Sequence, residues 1–311
     1  GQSSGVLSDP KTRYASPSIT SIASGPFNTV GGDSIVITGN NFGASSQPAG
    51  VTIAAYFGTA GGEPYSSALL SCSVTQDHVQ MSCTVAEGSG KDYQVQVEIQ
   101  GQRSSASSGT PFRYTTPIIL GVSVSGSDSV MKTNGDSSVT ITGTNLGPAC
   151  TGCVTAAYSS GSNAYSSTCD VVGAAHDTLS CSTEAGVGQN HAWVVTVAAQ
   201  ASSTSSGAGG LVSYEAPVLD LTTPLSGAGF SNAATAGGEV VTITGENFGP
   251  ASHSDLSVVY GPSSNRNLYT ATSCSVQSQT EIERQTASGL GNDMYLQVTV
   301  GGPSTPSSAT V

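Results

Sequence analysis

Ile37-Thr-Gly-Asn-Asn-Phe-Gly43 recurs as Ile141-Thr-Gly-Thr-Asn-Leu-Gly147 and again as Ile243-Thr-Gly-Glu-Asn-Phe-Gly249. Each copy is preceded by a polar, glycine-bearing turn and alternating apolar residues: GGDSIVI, NGDSSVTI and GGEVVTI. Strict alternation is the mark of a strand with one buried face. The glycines that follow permit backbone angles a β-carbon would forbid, so each heptapeptide reads as a strand end and its turn. A repeat of this kind is a stronger guide to organisation than length.

Two further sets of strands follow the same spacing. Val51–Tyr56, Val154–Tyr158 and Leu256–Tyr260 form one set; Tyr93–Ile99, Trp193–Val197 and Tyr295–Val300 form the other. No segment carries a helical period of apolar residues. Short strands with turns every 8–12 residues predict β-sandwiches of about 100 residues each.

The closing residues of each copy are equally telling. Gly101–Tyr114 reads GQRSSASSGTPFRY, and the first fourteen residues, GQSSGVLSDPKTRY, imitate it. In both, a proline follows the tyrosine at the same distance (Tyr14-Ala-Ser-Pro17, Tyr114-Thr-Thr-Pro117), and Tyr214-Glu-Ala-Pro217 repeats the pattern. The chain is therefore expected to open with the last strand of a sandwich whose body is absent. Its end at Val311 falls before the tyrosine that should close the third copy. These joints predict a strand-like segment over 1–14 and sandwiches over 15–116, 117–216 and 217–311, the last lacking its final strand end. Two-residue joints restrict the angle between neighbours. Sandwiches about 35 Å across, from the size of a 100-residue globule, would make a rod of about 100 Å.

The opening Pro-x-Ile, the G-G-x-x-V-x-I-x-G-x-N-F-G run and the closing F-x-Y resemble IPT/TIG domains, an immunoglobulin-like sandwich. The resemblance runs over the whole chain, three times. It departs most in the second copy, where Leu146 replaces Phe42 and Phe248. It implies the fold and little about function, since the family occurs in surface receptors, microbial surface proteins, starch-acting enzymes and transcription factors.

Only 9% of the 311 residues are charged, and the net charge is −12. Phosphate binding needs clustered Lys and Arg, so nucleic acid is not an expected partner. No apolar run approaches the roughly 18 residues of a membrane helix. With no initiator Met, signal peptide or basic targeting segment, the chain reads as a mature product or an excised segment.

Cys72 and Cys83 flank a predicted hairpin, and Cys169 and Cys181 hold the same places in the second copy. The reading is a pair of cross-strand disulfides, each contributing roughly 2–3 kcal/mol and implying an oxidising, extracellular compartment; the alternative is reduced core cysteines. Cys150-Thr-Gly-Cys153 lacks the context of a redox motif and the second ligand pair of a zinc site, which leaves a local disulfide. Cys274 stands unpaired, with Arg284 where its partner should be. It reads as a buried free thiol, with pairing to another chain as the alternative.

No catalytic, metal or cofactor site is expected. Gly1-Gln-Ser-Ser-Gly5 matches a nucleophile elbow without the strand and helix that motif needs. Gly88-Ser-Gly-Lys91 lacks the outer residues of a phosphate loop. His78, His176, His191 and His253 are scattered singly, the first two in equivalent turns. Trp193 takes the strand place of Tyr93 and Tyr295 and reads as core. Tyr65, Tyr165 and Tyr269 are the exposed aromatic candidates: they read first as filling the sandwich edge, with stacking on a sugar or partner as the alternative. Without an Asn-x-Ser/Thr sequon, any sugar should be O-linked, in the Ser/Thr-rich stretches 103–110, 201–207 and 303–308. The expected function is that of a protomer in an extracellular filament, joined head-to-tail to copies of itself. Its donor strand would be 1–14, anchored by Val6, Leu7 and Tyr14, completing the neighbour's third sandwich. The chief rival is an adhesin or receptor ectodomain that binds glycan or protein through its loops, and a third reading is an accessory sugar-binding rod clipped from a larger enzyme.

Overall fold

The computed structural model describes residues 13–126, 130–173, 176–220, 222, 225–229, 231–251 and 253–305. The described residues contain strands and turns and no helix, so the chain is all-β. They divide into two compact units, one reaching Thr116 with Ala198–Gln200 added, the other holding Pro117–Val197 and the chain from Ala201 onward.

The first unit is a sandwich of two four-stranded sheets. Ser18–Ile22, Ser34–Asn40, Gln80–Thr84 and Leu70–Gln76 pair in that order, and Ser67–Ala68, Ile53–Thr59, Tyr93–Ile99 and Gln102–Arg103 make the facing sheet. Ile35, Ile37, Phe42, Met81, Val95 and Val97 are sealed between them. Burial of each such side chain contributes about 1.5–3 kcal/mol.

The second unit contains two separate cores, one around Ile141, Leu146, Tyr158 and Trp193, the other around Ile243, Phe248, Val258 and Val298. In the former, the long strand Asn163–Val171 pairs first with Cys150–Ser160 (Tyr158 opposite Tyr165) and then with Thr178–Ser182 (Cys169 opposite Cys181). It thereby links both sheets into one. Around the latter the two sheets stay apart, as in the first unit.

The strands that run into the heptapeptides carry the same burial alternation in each copy, with Ile35, Val139 and Val241 inward. Their first glycine serves a different purpose from the one its position in a turn suggests. At Gly39, Gly143 and Gly245 a β-carbon would run into the carbonyls of Ser18, Ile118 and Val218. Space on the first strand excludes a side chain there. The left-handed turn falls instead on Asn41, Asn145 and Asn247 (φ 64°, 60° and 63°) and on the last glycine. Asparagine tolerates that backbone better than other side chains. Asn41 and Asn247 also donate to the carbonyls of Ser16 and Ala216, beside the joint prolines.

The register corrects two equivalences. Ile53, Val154 and Leu256 lie opposite Ile99, Val197 and Val300, so Phe57, and not Tyr56, matches Tyr158 and Tyr260. A one-residue slip exchanges the two faces of a strand. Tyr56 lies outside the sealed core, with the Arg103 guanidinium 4.2 Å from its ring. Trp193 likewise holds the place of Val95 and Leu296. Its N–H bonds the Ser205 hydroxyl as that of Val95 bonds Ser107. It is core as expected, fully buried and stacked on Tyr158 with centroids 4.1 Å apart.

Candidate functional site

The last strand of each sandwich begins the same way. Ser104 and Ser107 are buried, and their hydroxyls accept from the N–H groups of Val97 and Val95; Ser202 and Ser205 do the same for Val195 and Trp193. Thr305 repeats the first of these contacts with Val298. The serine pairs that looked like sugar acceptors therefore supply strand hydrogen bonds. Ser105, Ser108, Thr110, Ser203, Thr204 and Ser206 face outward.

Beyond this point the first two sandwiches are closed by a short extended segment. Phe112 bridges Tyr93, and Tyr114 bridges Phe27 in parallel; Leu211–Val212 pairs with His191–Ala192, and Tyr214 bridges Met131. The main chain is held on both sides. Phe27 N–H donates to Arg113 and its carbonyl receives Thr115, while Tyr114 N–H donates to Gly90. Met131, Ser213, Glu215, Tyr214 and Gly188 repeat this pattern atom for atom. The tyrosine hydroxyls end at Ala86 and Glu184 carbonyls, and Tyr214 also meets the Tyr158 hydroxyl at 2.8 Å. Burial pushes both hydroxyl pKa values far up. Gly88 and Gly186 leave room for these rings, since a β-carbon at either would strike the tyrosine.

In the third sandwich the equivalent walls enclose an open groove of about 500 Å³. Ala233 stands where Phe27 and Met131 stand, Gly291 where Gly90 and Gly188 stand, and Ala287 where Ala86 and Glu184 stand. Among the described residues nothing bonds the Ala233 N–H and carbonyl or the Gly291 carbonyl. Tyr260 keeps the Tyr158 contact, accepting from Ala287 N–H at 2.8 Å. Gly289 lies in the place of the two accommodating glycines. The site thus has unpaired strand-bonding groups, a slot for a tyrosine ring and acceptors at its floor. Such an edge is a template for an extended segment.

One residue in the wall has no counterpart. Arg284 occupies the position of Cys83 and Cys181 and is 5% exposed. Its guanidinium lies 4.7 Å from the Tyr260 ring, and its Nε and Nη1 have no hydrogen-bond partner among the described residues. Burial lowers its pKa and raises that of the nearby half-buried Cys274 thiol.

The structure pairs Cys72 with Cys83, Cys169 with Cys181 and Cys150 with Cys153, with Cα separations of 4.1, 4.1 and 6.0 Å. Tyr14, the counterpart of Tyr114 and Tyr214, is 94% exposed, whereas those two are 1% and 2% exposed. Val6 and Leu7 lie outside the described residues. Thr305 holds the place of Ser104, to which Ser4 corresponds in the N-terminal segment. Of the three aromatic candidates, Tyr65 is buried and out of register with the others, whose true counterpart is Ser67. Tyr165 and Tyr269 are partly buried clasps. Their hydroxyls bridge both backbone groups of Val187 and Leu290. His78 and His176 sit at φ 65° and 56°, and their carbonyls receive Phe42 and Leu146. His191 packs against the Tyr158, Tyr165 and Tyr214 rings, and burial depresses its pKa.

No helix among the described residues is long and apolar enough to cross a membrane. No curated protein matches the chain. Among solved structures it is similar to a protein crystallised with a xylogluco-oligosaccharide (16% identity, 95% of this chain and 60% of that chain, TM-score 0.36). It is also similar to the plexin A4 full extracellular region (15%, 95% and 34%, TM-score 0.26) and to InvD of Yersinia pseudotuberculosis (13%, 95% and 95%, TM-score 0.24). The chain thus spans 60% and 34% of the first two. Likenesses at this level carry no argument about function. The IPT/TIG domain model matches residues 17–114 and 227–311, which is more than half of the sequence. With the repeated register and the closing tyrosines, this makes the chain a member of the IPT/TIG domain family.

Proposed function

We propose that the chain is a structural protomer of an extracellular filament or surface appendage. In this reading the N-terminal segment of one copy completes the third sandwich of the copy before it. The observation that carries it is a matched pair: an open groove where Phe112–Tyr114 and Val212–Tyr214 close the other sandwiches, and an exposed Tyr14 ending a segment that imitates Gly101–Tyr114. In the register of the first sandwich, Arg13 would bond Ala233, Tyr14 N–H would reach the Gly291 carbonyl, and its hydroxyl would meet Ala287 and Tyr260. In that register Leu7 would take the place of buried Ser107 and Val6 that of half-buried Ala106. Donor and acceptor surfaces differ, so the contact need not close and propagates as an open array. The three disulfides support an oxidising, extracellular setting, and outward-facing Ser and Thr of the last-strand loops would carry any O-linked sugar.

Electron microscopy of the full chain and of a variant lacking residues 1–14 tests this reading. Periodic fibres from the full chain and dispersed single molecules from the truncation are expected. Undiminished fibres from the truncation would reject it. Dispersed molecules from the full chain would favour the alternative, an adhesin or receptor ectodomain.

A further inference from the structure

Within the second unit, the second and third cores are joined by a small built contact. Val187 belongs to the second sandwich, yet it is 2% exposed because it packs into the third core. It lies against Gly249, where a β-carbon would strike the valine side chain. Beside it, Gln279 grips Thr133 twice. The Thr133 hydroxyl donates to Gln279 Oε1 at 2.6 Å, and Gln279 Nε2 donates to the Thr133 carbonyl at 2.9 Å. Gly249 N–H donates to the same Oε1 at 3.2 Å.

Each half of this contact has a counterpart that is exposed. Leu290 is the counterpart of Val187: the Tyr269 hydroxyl clasps its N–H and carbonyl at 3.1 and 2.9 Å, as Tyr165 clasps Val187 at 2.9 and 3.1 Å. The loop is therefore held in the same form, but Leu290 is 79% exposed. Thr235 is the counterpart of Thr133, since its carbonyl receives Gly289 as that of Thr133 receives Gly186. Thr133 is buried and Thr235 exposed. On the first sandwich, Gly43 (φ 84°) matches Gly249 (φ 85°), and His78 matches Gln279, both carbonyls receiving the buried phenylalanine of the heptapeptide. His78 is exposed.

We infer that Leu290 and Thr235 of one copy seat against Gly43 and His78 of a second copy. This repeats between copies the joint that Val187, Thr133, Gly249 and Gln279 make within one. The inference rests on the reading that copies join tail to head and adds the surface on which they meet. The occupant is fixed by continuity with an existing interface. A segment ending at Tyr14 and leading through two residues to Pro17 has the same joint length as Tyr214 to Pro217. A strand seated in the groove therefore delivers the first sandwich to the place the third holds against the second. His78 supplies a ring N–H donor and a ring nitrogen acceptor for the Thr235 carbonyl and hydroxyl. The Gln47 side chain, which now lies over Gly43, swings aside for Leu290.

Cysteine cross-linking between full-length chains tests this surface. Leu290→Cys and Gln47→Cys are placed on separate chains, each also carrying Cys274→Ser, then mixed and oxidised. A disulfide-linked heterodimer is expected, at least tenfold above that formed when Leu120→Cys replaces Leu290→Cys. Leu290→Ser, at a side chain that is 79% exposed in the single chain, is expected to weaken self-association at least tenfold with unchanged thermal unfolding. No heterodimer above the control, or a chain that stays monomeric at its highest soluble concentration, overturns the inference. A labelled peptide of residues 1–14 reads the groove separately. Cross-linking without peptide binding would retain this joint and reject strand complementation.

Discussion

Replacing Tyr214 by phenylalanine isolates the contact on which the proposed anchor depends. The Tyr214 hydroxyl is buried, lies 2.8 Å from that of Tyr158 and donates to the Glu184 carbonyl at 2.8 Å. Phenylalanine keeps the ring packing and removes only the oxygen. Two hydrogen bonds are lost, and the Tyr158 hydroxyl and the part-buried Glu184 carbonyl each lose a partner, which together cost about 2 kcal/mol. The chain holds several cores, so a single global unfolding free energy is not the quantity to read, and a local probe is needed. Hydrogen exchange in the strand His191–Val197, which Tyr214 helps to cover, reads the opening of this sandwich. A loss of about 2 kcal/mol accelerates exchange through that opening by about 30-fold. Strands of the first sandwich should be unaffected. Acceleration of less than about threefold would refute the reasoning. It would also remove the ground for assigning Tyr14 the same role against Ala287 and Tyr260.

Reduction should loosen the hairpins of the first two sandwiches and leave the third unchanged, and mapping without reduction should recover Cys72–Cys83 and Cys169–Cys181 peptides; free thiols at all four would contradict the pairing. Arg284→Cys should let Cys274 close the missing third bridge, with a mass loss of two hydrogens and a gain of about 3 kcal/mol in the third sandwich. His191 is buried uncharged and its pKa is lowered from 6.5, so below about pH 6.5 the unfolded chain takes up a proton the folded ring refuses. The second sandwich should keep its full His191 contribution above that pH and lose stability as pH falls through it, a loss that His191→Phe should reduce. Any O-linked sugar should map to Ser105, Ser108, Thr110, Ser203, Thr204 or Ser206 and never to Ser104, Ser107, Ser202 or Ser205; glycopeptide sequencing decides this.

The fold was legible because its determinants recur in sequence. Alternation around Ile35, Val139 and Val241 marks the central strand, and Asn-x-Gly marks its turn. The closing tyrosines point to the groove, since each keeps its distance from the next proline. Other features were hidden for physical reasons. The slip between Tyr56 and Phe57 arises because the strand before Tyr56 has apolar residues on both faces, so alternation does not fix its register. The twin roles of Ser104 and Ser107 look like low complexity until the strand they bond is known. The joint between second and third sandwiches leaves no sequence signal. Its residues are unlike from copy to copy (Val187 and Leu290, Gln279 and His78), and only shared hydrogen bonds reveal them as equivalents: the Tyr165 and Tyr269 clasps for the first pair, the carbonyls that receive Phe248 and Phe42 for the second.

The most direct measurement is a cryo-microscopy map of the assembled fibre at side-chain resolution. The account predicts density for a neighbour's Arg13 and Tyr14 in the groove of the third sandwich, with the Tyr14 hydroxyl against Ala287 and Tyr260 and the Ala233 main chain paired. A groove left empty, or filled by a strand of the same chain, would contradict it.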